Sequence, residues 1–144
     1  MSPREVAIEI ADRHNTNNPF EIARERNIRI LYVSMKTTFG FYVRYHRMQN
    51  IILNDELSDE MQQFVCAHEL GHSILHADLN VPKLTRYTMF SRDKFEIQAN
   101  TFAVELLLPD GFLREYADCS IYQLAASVGV PKEFIELKQY ASRV

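Results

Sequence analysis

Five residues in the middle of the chain, His68-Glu69-Leu70-Gly71-His72, carry side chains that can hold a divalent metal and move a proton. On a helix of 3.6 residues per turn, His72 lies one turn along from His68 and about 40° round, so both imidazoles can reach one ion. Glu69 sits beside them. Its carboxylate points close to the metal without being forced onto it, as a general base needs when it takes a proton from a zinc-activated water. The flanking run from Phe64 to His76, FVCAHELGHSILH, is apolar and compatible with a helix, with Phe64, Val65, Leu70, Ile74 and Leu75 at core-facing positions. Imidazoles on a buried helix need partners, and a metal ion is one that these residues suit.

Two histidines do not complete a catalytic zinc site, which normally has three protein ligands and a water. The long three-histidine pattern would need Gly at position 75 and a ligand at 78, where the chain has Leu75 and Asp78. Asp78 still offers a carboxylate. His76 repeats the four-residue step from His72, but it lies two turns, ~12 Å, from His68, too far to share one ion with both. It is expected to line the cleft or to hydrogen-bond structure. Glu96 is the better candidate, because Asn100 follows four residues later on the same face of the next helical run. Glu96 would ligate while Asn100 accepts a bond from the far nitrogen of one histidine, fixing its tautomer. Gly71, Ala99 and Ala103 are small enough to let the two helices approach closely.

These residues must be positioned by other elements. Ser2-Pro3 starts an amphipathic helix that ends near His14, and Asn18-Pro19 starts a short second helix reaching about Arg26. His14 lies in a polar setting. Ile28 to Val33, Phe39 to Tyr45 and Asn50 to Leu53 read as strands, giving a small antiparallel sheet around one hairpin with His46 in its turn region. Ser58, followed by Asp59 and Glu60, caps the central helix. Periodicity disappears from Ala77 to Arg92, a loop long enough to flank the site. A helix resumes at Asp93 and is stopped by Pro109, a short helix surrounds Phe112 to Tyr116, and two further helices join at Gly129-Val130-Pro131. The expected fold class is α+β, in one domain over 1–144 with a C-terminal helical hairpin at 120–141 as part of it.

Composition narrows the function classes. The chain has 144 residues, 47% of them hydrophobic, enough for one core. Its net charge of −3, from 16 Lys and Arg against 19 Asp and Glu, leaves no electrostatic footprint for nucleic acid or an anionic membrane. The N-terminus is charged at Arg4, Glu5, Glu9, Asp12 and Arg13, and no apolar run approaches ~20 residues, so a cytoplasmic protein is expected. Two cysteines, Cys66 and Cys119, without a C-x-x-C pair suit a reducing compartment, and Cys66 is expected to pack in the core. The sequence around Leu124 to Pro131 has a faint helix-turn-helix character. Yet residues 109–144 carry four Lys or Arg against five Asp or Glu, where phosphate binding wants excess positive charge, so direct nucleic-acid binding is not expected.

HELGHSILH followed by EIQANTFAVELLLP resembles the ImmA/IrrE family of zinc metallopeptidases, whose motifs have the forms HELGHxxLH and ExxANxFAxxLLxP. The likeness is strong over about Ile51 to Pro109 and looser elsewhere. It implies that His68, His72 and Glu96 ligate Zn2+, that Glu69 is the catalytic acid and base, and that the fold is gluzincin-like. It further implies a site-specific endopeptidase whose protein substrate is a helix-turn-helix repressor of a phage or mobile element. The alternative is a zinc-stabilised anti-repressor that inactivates a regulator by holding it. Tyr87, Arg92 and His76 are the candidates for stabilising an oxyanion.

Overall fold

The computed structural model describes residues 1–77 and 89–139. Two N-terminal helices come first, α1 (Pro3–His14) and α2 (Pro19–Glu25), each opened by a side-chain cap followed by proline. Ser2 Oγ accepts from the Glu5 N–H, and Asn18 Oδ1 accepts from the N–H groups of Phe20 and Glu21. Both helices end where an asparagine takes a left-handed conformation, Asn15 at φ 55° and Asn27 at φ 60°.

Three strands follow: β1 (Ile28–Val33), β2 (Gly40–Tyr45) and β3 (Met48–Asn54). Their spatial order is β1-β3-β2. The β2–β3 hairpin is antiparallel as expected, with His46 in its turn at φ 56°. β1, however, joins parallel to β3, so the sheet is mixed rather than antiparallel throughout. The reason lies in β3, whose residues Asn50 to Asn54 are all buried; a strand apolar on both faces belongs in the middle, which moves β1 to the far side. Asn54 then clamps the β1–β2 connection. Its Nδ2 donates to the carbonyls of Met35 and Thr38 at 2.7 and 3.0 Å.

The central helix α3 (Asp59–Leu75) is capped by Ser58, whose Oγ accepts from the Met61 N–H. Helix α4 (Lys94–Leu107) is capped by Asp93, and α5 (Asp110–Glu115) and α6 (Ile121–Val128) follow. The last piece, Lys132–Leu137, is a 3₁₀ helix rather than the expected α-helix. It begins directly after Pro131 and spans six residues, longer than most 3₁₀ runs, which are used in short connecting pieces. Together with α6 it lies on α3: Gln63 donates to the Val128 carbonyl, and the Phe134 ring stacks on Phe64 at 5.4 Å. Gly129 closes α6 at φ 86° against the Glu60 carbonyl, where no Cβ has room.

The core runs from Ala7 and Ile10 of α1 through Ile51 and Leu53 to Phe64, Leu70, Phe102 and Leu106, with Cys66 inside it. A charged cluster fastens its far edge. Arg4 and Lys138 each pair with both Glu105 and Asp110 at 2.7 Å, joining α1, α4, α5 and the chain beyond the 3₁₀ helix. Among the described residues no helix is long and apolar enough to cross a membrane.

Candidate metal centre

Helices α3 and α4 are brought together at Gly71, where α3 has no side chain and α4 lays Phe102 and the Ala99 backbone against it. A Cβ built on Gly71 would lie 3.0 Å from Phe102 Cδ1 and 3.3 Å from the Ala99 carbonyl oxygen, so glycine sets the separation of the two helices here. That outweighs the ~1 kcal/mol by which glycine weakens a helix interior relative to alanine. Close approach places the first turn of α4 opposite the second half of α3. Glu96 sits in that first turn, where the helix N-terminus favours a carboxylate.

His68, Glu69 and Glu96 are almost wholly buried, at 0%, 2% and 1% exposure. Glu96 Oε1 lies 3.2 Å from His68 Nε2 and 3.1 Å from His72 Nε2. The two rings meet edge to face, with centroids 4.7 Å apart. On its other side His68 Nδ1 is 2.7 Å from Asn100 Oδ1, and Asn100 Nδ2 donates to the Met89 carbonyl at 2.7 Å. This last contact fixes a tautomer. A carbonyl oxygen only accepts, so the amide NH2 must face Met89 and the amide oxygen must face His68. His68 Nδ1 therefore carries a proton, and in the neutral ring Nε2 presents a lone pair to a carboxylate oxygen. Two acceptors at 3.2 Å call for a positive charge between them.

The donor set fits zinc. Two donors bound at ~2.0–2.1 Å and at the tetrahedral angle lie about 3.3–3.4 Å apart, close to the 3.1 and 3.2 Å separating the imidazole nitrogens from Glu96 Oε1. Glu69 is a neighbour of a different kind. The ligand atoms of His68, Glu69 and His72 all fall within 4.8 Å of one another, so Glu69 also belongs to the cluster. Its Oε1 nevertheless stays 3.9 Å from His68 Nε2, beyond the spacing of two donors on one tetrahedral ion. Glu96 Oε1 thus lies at the spacing of a common ligand set with both imidazoles, and Glu69 Oε1 lies just outside it.

Electrostatics agree with that division. Burial pushes the Glu96 carboxyl up, but the two imidazoles that face it outweigh burial and hold the group well below the usual carboxylate range. The pocket thus keeps Glu96 anionic. Burial, reinforced by the Glu69 charge, pushes the Cys66 thiol far up, so this cysteine stays protonated and is no thiolate ligand.

The remaining candidates separate clearly. His14 pairs with Glu25 at 3.0 Å on the surface, and His46 packs against Tyr45 in the exposed hairpin turn. Arg92 is exposed, while Asp78 and Tyr87 lie outside the described residues. His76 is buried at the C-terminal end of α3, with Nδ1 2.9 Å from His72 Nδ1 and Nε2 2.8 Å from Gln98 Oε1. Gln98 has no counterpart in the reading of the sequence. The four-residue histidine step was visible there, but which α4 side chain would meet it depends on the docking of the two helices.

The sequence profile of the IrrE N-terminal-like domain, peptidase M78, matches residues 23–139. The chain is similar to an uncharacterized immunity region protein 2 of Bacillus phage phi105, with 40% identity over 129 residues covering 88% of this chain and 82% of the relative. It is also similar to the metallopeptidase ImmA of Bacillus subtilis (strain 168), with 35% identity over 129 residues covering 87% of this chain and 76% of the relative.

Proposed function

The chain belongs to the IrrE N-terminal-like peptidase family, and from that premise we propose a zinc-dependent, site-specific endopeptidase that cleaves a helix-turn-helix repressor of a phage or mobile element. His68, His72 and Glu96 hold the zinc, Glu69 is the catalytic acid and base, and Asn100 orients His68. The observation that carries this reading is the convergence of both Nε2 atoms on Glu96 Oε1, with Glu69 standing just outside that shell.

A zinc ion held there supplies Lewis acidity, polarising the scissile carbonyl and acidifying the attacking water. Glu69 does the proton work. Its buried carboxylate takes a proton as water adds to the carbonyl carbon, then delivers it to the departing amine nitrogen as the C–N bond breaks. His72 is the most open of the site's side chains, at 13% exposure, which marks its side as the approach for substrate. An extended peptide can add to β2, an edge strand of the sheet among the described residues, which begins at Gly40 against Val65 of α3. The repressor substrate is supported by the family resemblance and by the immunity-region name of the phage relative. Such a regulator works in the cytoplasm, where this protease would meet it.

The test is incubation of the purified chain with the repressor encoded beside its gene, with zinc or with chelator, followed by mass analysis of fragments. One defined cut that needs zinc and vanishes in Glu69→Gln supports the proposal. A repressor that stays intact while bound to the zinc-loaded chain would replace it with inactivation by holding.

A further inference from the structure

The contacts of His76 extend the centre beyond its ligands. His68 is oriented by Asn100, but His72 has its own support on the opposite flank. His72 Nδ1 lies 2.9 Å from His76 Nδ1, and His76 Nε2 lies 2.8 Å from Gln98 Oε1. Two ring nitrogens at that distance share one proton, so one imidazole donates and the other accepts.

The polarity of this chain is set by its two ends. For His72 to offer the Nε2 lone pair to a cation, a neutral ring must carry its proton on Nδ1. His76 Nδ1 must then accept, which leaves the His76 proton on Nε2, facing the Gln98 carbonyl oxygen that can receive it. The reverse polarity would put a proton on His72 Nε2, aimed at Glu96 Oε1 and in the way of an ion. Local structure holds the chain in line. His76 is the capping residue of α3, its N–H bonded to the His72 carbonyl at 3.0 Å, and its ring is braced edgewise on Phe95 at 4.8 Å. It is only 8% exposed. Gln98 and Phe95 reach it from α4, the helix that also carries Glu96.

We propose that His76, backed by Gln98, is a positioning residue for the metal centre: it accepts the His72 Nδ1–H and thereby fixes the tautomer and ring orientation in which His72 ligates zinc. This rests on the assignment of His72 as a ligand, and it separates His76 from the oxyanion-stabilising role open to it on sequence grounds.

The experiment compares zinc affinity, by chelator competition, in the wild-type full chain and in two variants that split acceptor from packing. His76→Asn places a carbonyl oxygen where Nδ1 stood but loses the ring against Phe95, whereas His76→Phe keeps a ring and has no acceptor. The expected result is that Phe weakens zinc binding 10–100-fold, as loss of a partner behind a ligand typically does, while Asn stays within about threefold of wild type. The cobalt(II) absorption bands should shift in the Phe variant and not in the Asn variant. A packing role alone predicts the opposite order and overturns the inference. Should either variant fail to fold, nitrogen-15 spectra of the zinc-loaded wild type decide: scalar coupling across an N–H···N bond between His72 Nδ1 and His76 Nδ1 is expected, and a His72 Nδ1–H bonded elsewhere contradicts it. A wild-type chain that takes up no zinc overturns the metal assignment itself and this inference with it; equal affinity in all three proteins overturns this inference alone.

Discussion

Removing the Asn100 side chain tests whether the centre is built by hydrogen bonds behind the ligands. Asn100 is 2% exposed and makes two bonds of 2.7 Å, accepting from His68 Nδ1 and donating to the Met89 carbonyl. His68 and Met89 are both wholly buried, so water cannot replace either bond without the structure opening. In Asn100→Ala each orphaned group costs about 1–3 kcal/mol, so the metal-free protein should lose about 2–6 kcal/mol, a large share of the ~5–15 kcal/mol typical of a whole domain. Zinc affinity should fall 10–100-fold as His68 loses its fixed tautomer. Asn100→Asp divides the two effects, because its carboxylate still accepts from His68 but faces the Met89 carbonyl with no donor. It should keep zinc affinity near wild type while unfolding at lower urea. Urea unfolding of the metal-free chain and chelator competition for zinc measure both quantities. If Asn100→Ala matched wild type within about 0.5 kcal/mol, as surface substitutions do, with zinc affinity unchanged, the account of His68 would be wrong.

Three further outcomes follow from other parts of the molecule. Glu96→Gln keeps the shape but removes the charge held between the imidazoles, and should weaken zinc by more than the 10–100-fold typical of residues behind a ligand; chelator competition measures it. Gly129→Ala puts a Cβ at φ 86° against the Glu60 backbone and should destabilise by about 1–3 kcal/mol, seen as a lower melting temperature with zinc affinity preserved. The hydrogen bond from Arg4, with help from Lys138, outweighs burial and holds the Asp110 carboxyl down at about 2. Its folded value lies below its unfolded one, so the stability it contributes is complete above pH ~4 and is lost as pH falls towards ~2. Asp110→Asn should therefore flatten the acid limb of stability in that window, read by circular dichroism.

How much of this was legible in the chain depends on the range over which each feature is decided. The His68, Glu69 and His72 cluster is local, because one helical turn sets it, and the Glu96 and Asn100 pair follows from the same four-residue logic on α4. Their meeting needed one more signal, the small residues Gly71 and Ala99, and the structure places those at the contact. Helix starts were equally readable, since Ser2, Asn18, Ser58 and Asp93 each cap through their own side chain. Strand order was not. Its β-branched and aliphatic residues show that β1 is a strand, but its parallel place beside β3 is decided by which strand can be buried on both faces. Likewise, the buried Asn54 clamp and the His76 contact with Gln98 join residues whose proximity arises only when elements dock.

Anomalous diffraction at the zinc edge, from crystals of the zinc-loaded chain, reads out which side chains hold the ion. The expected result is a single ion ~2.0–2.2 Å from His68 Nε2, His72 Nε2 and a Glu96 carboxylate oxygen, with Glu69 beside it and unbound. An ion ligated by Glu69, or one that leaves Glu96 outside its coordination shell, would contradict it.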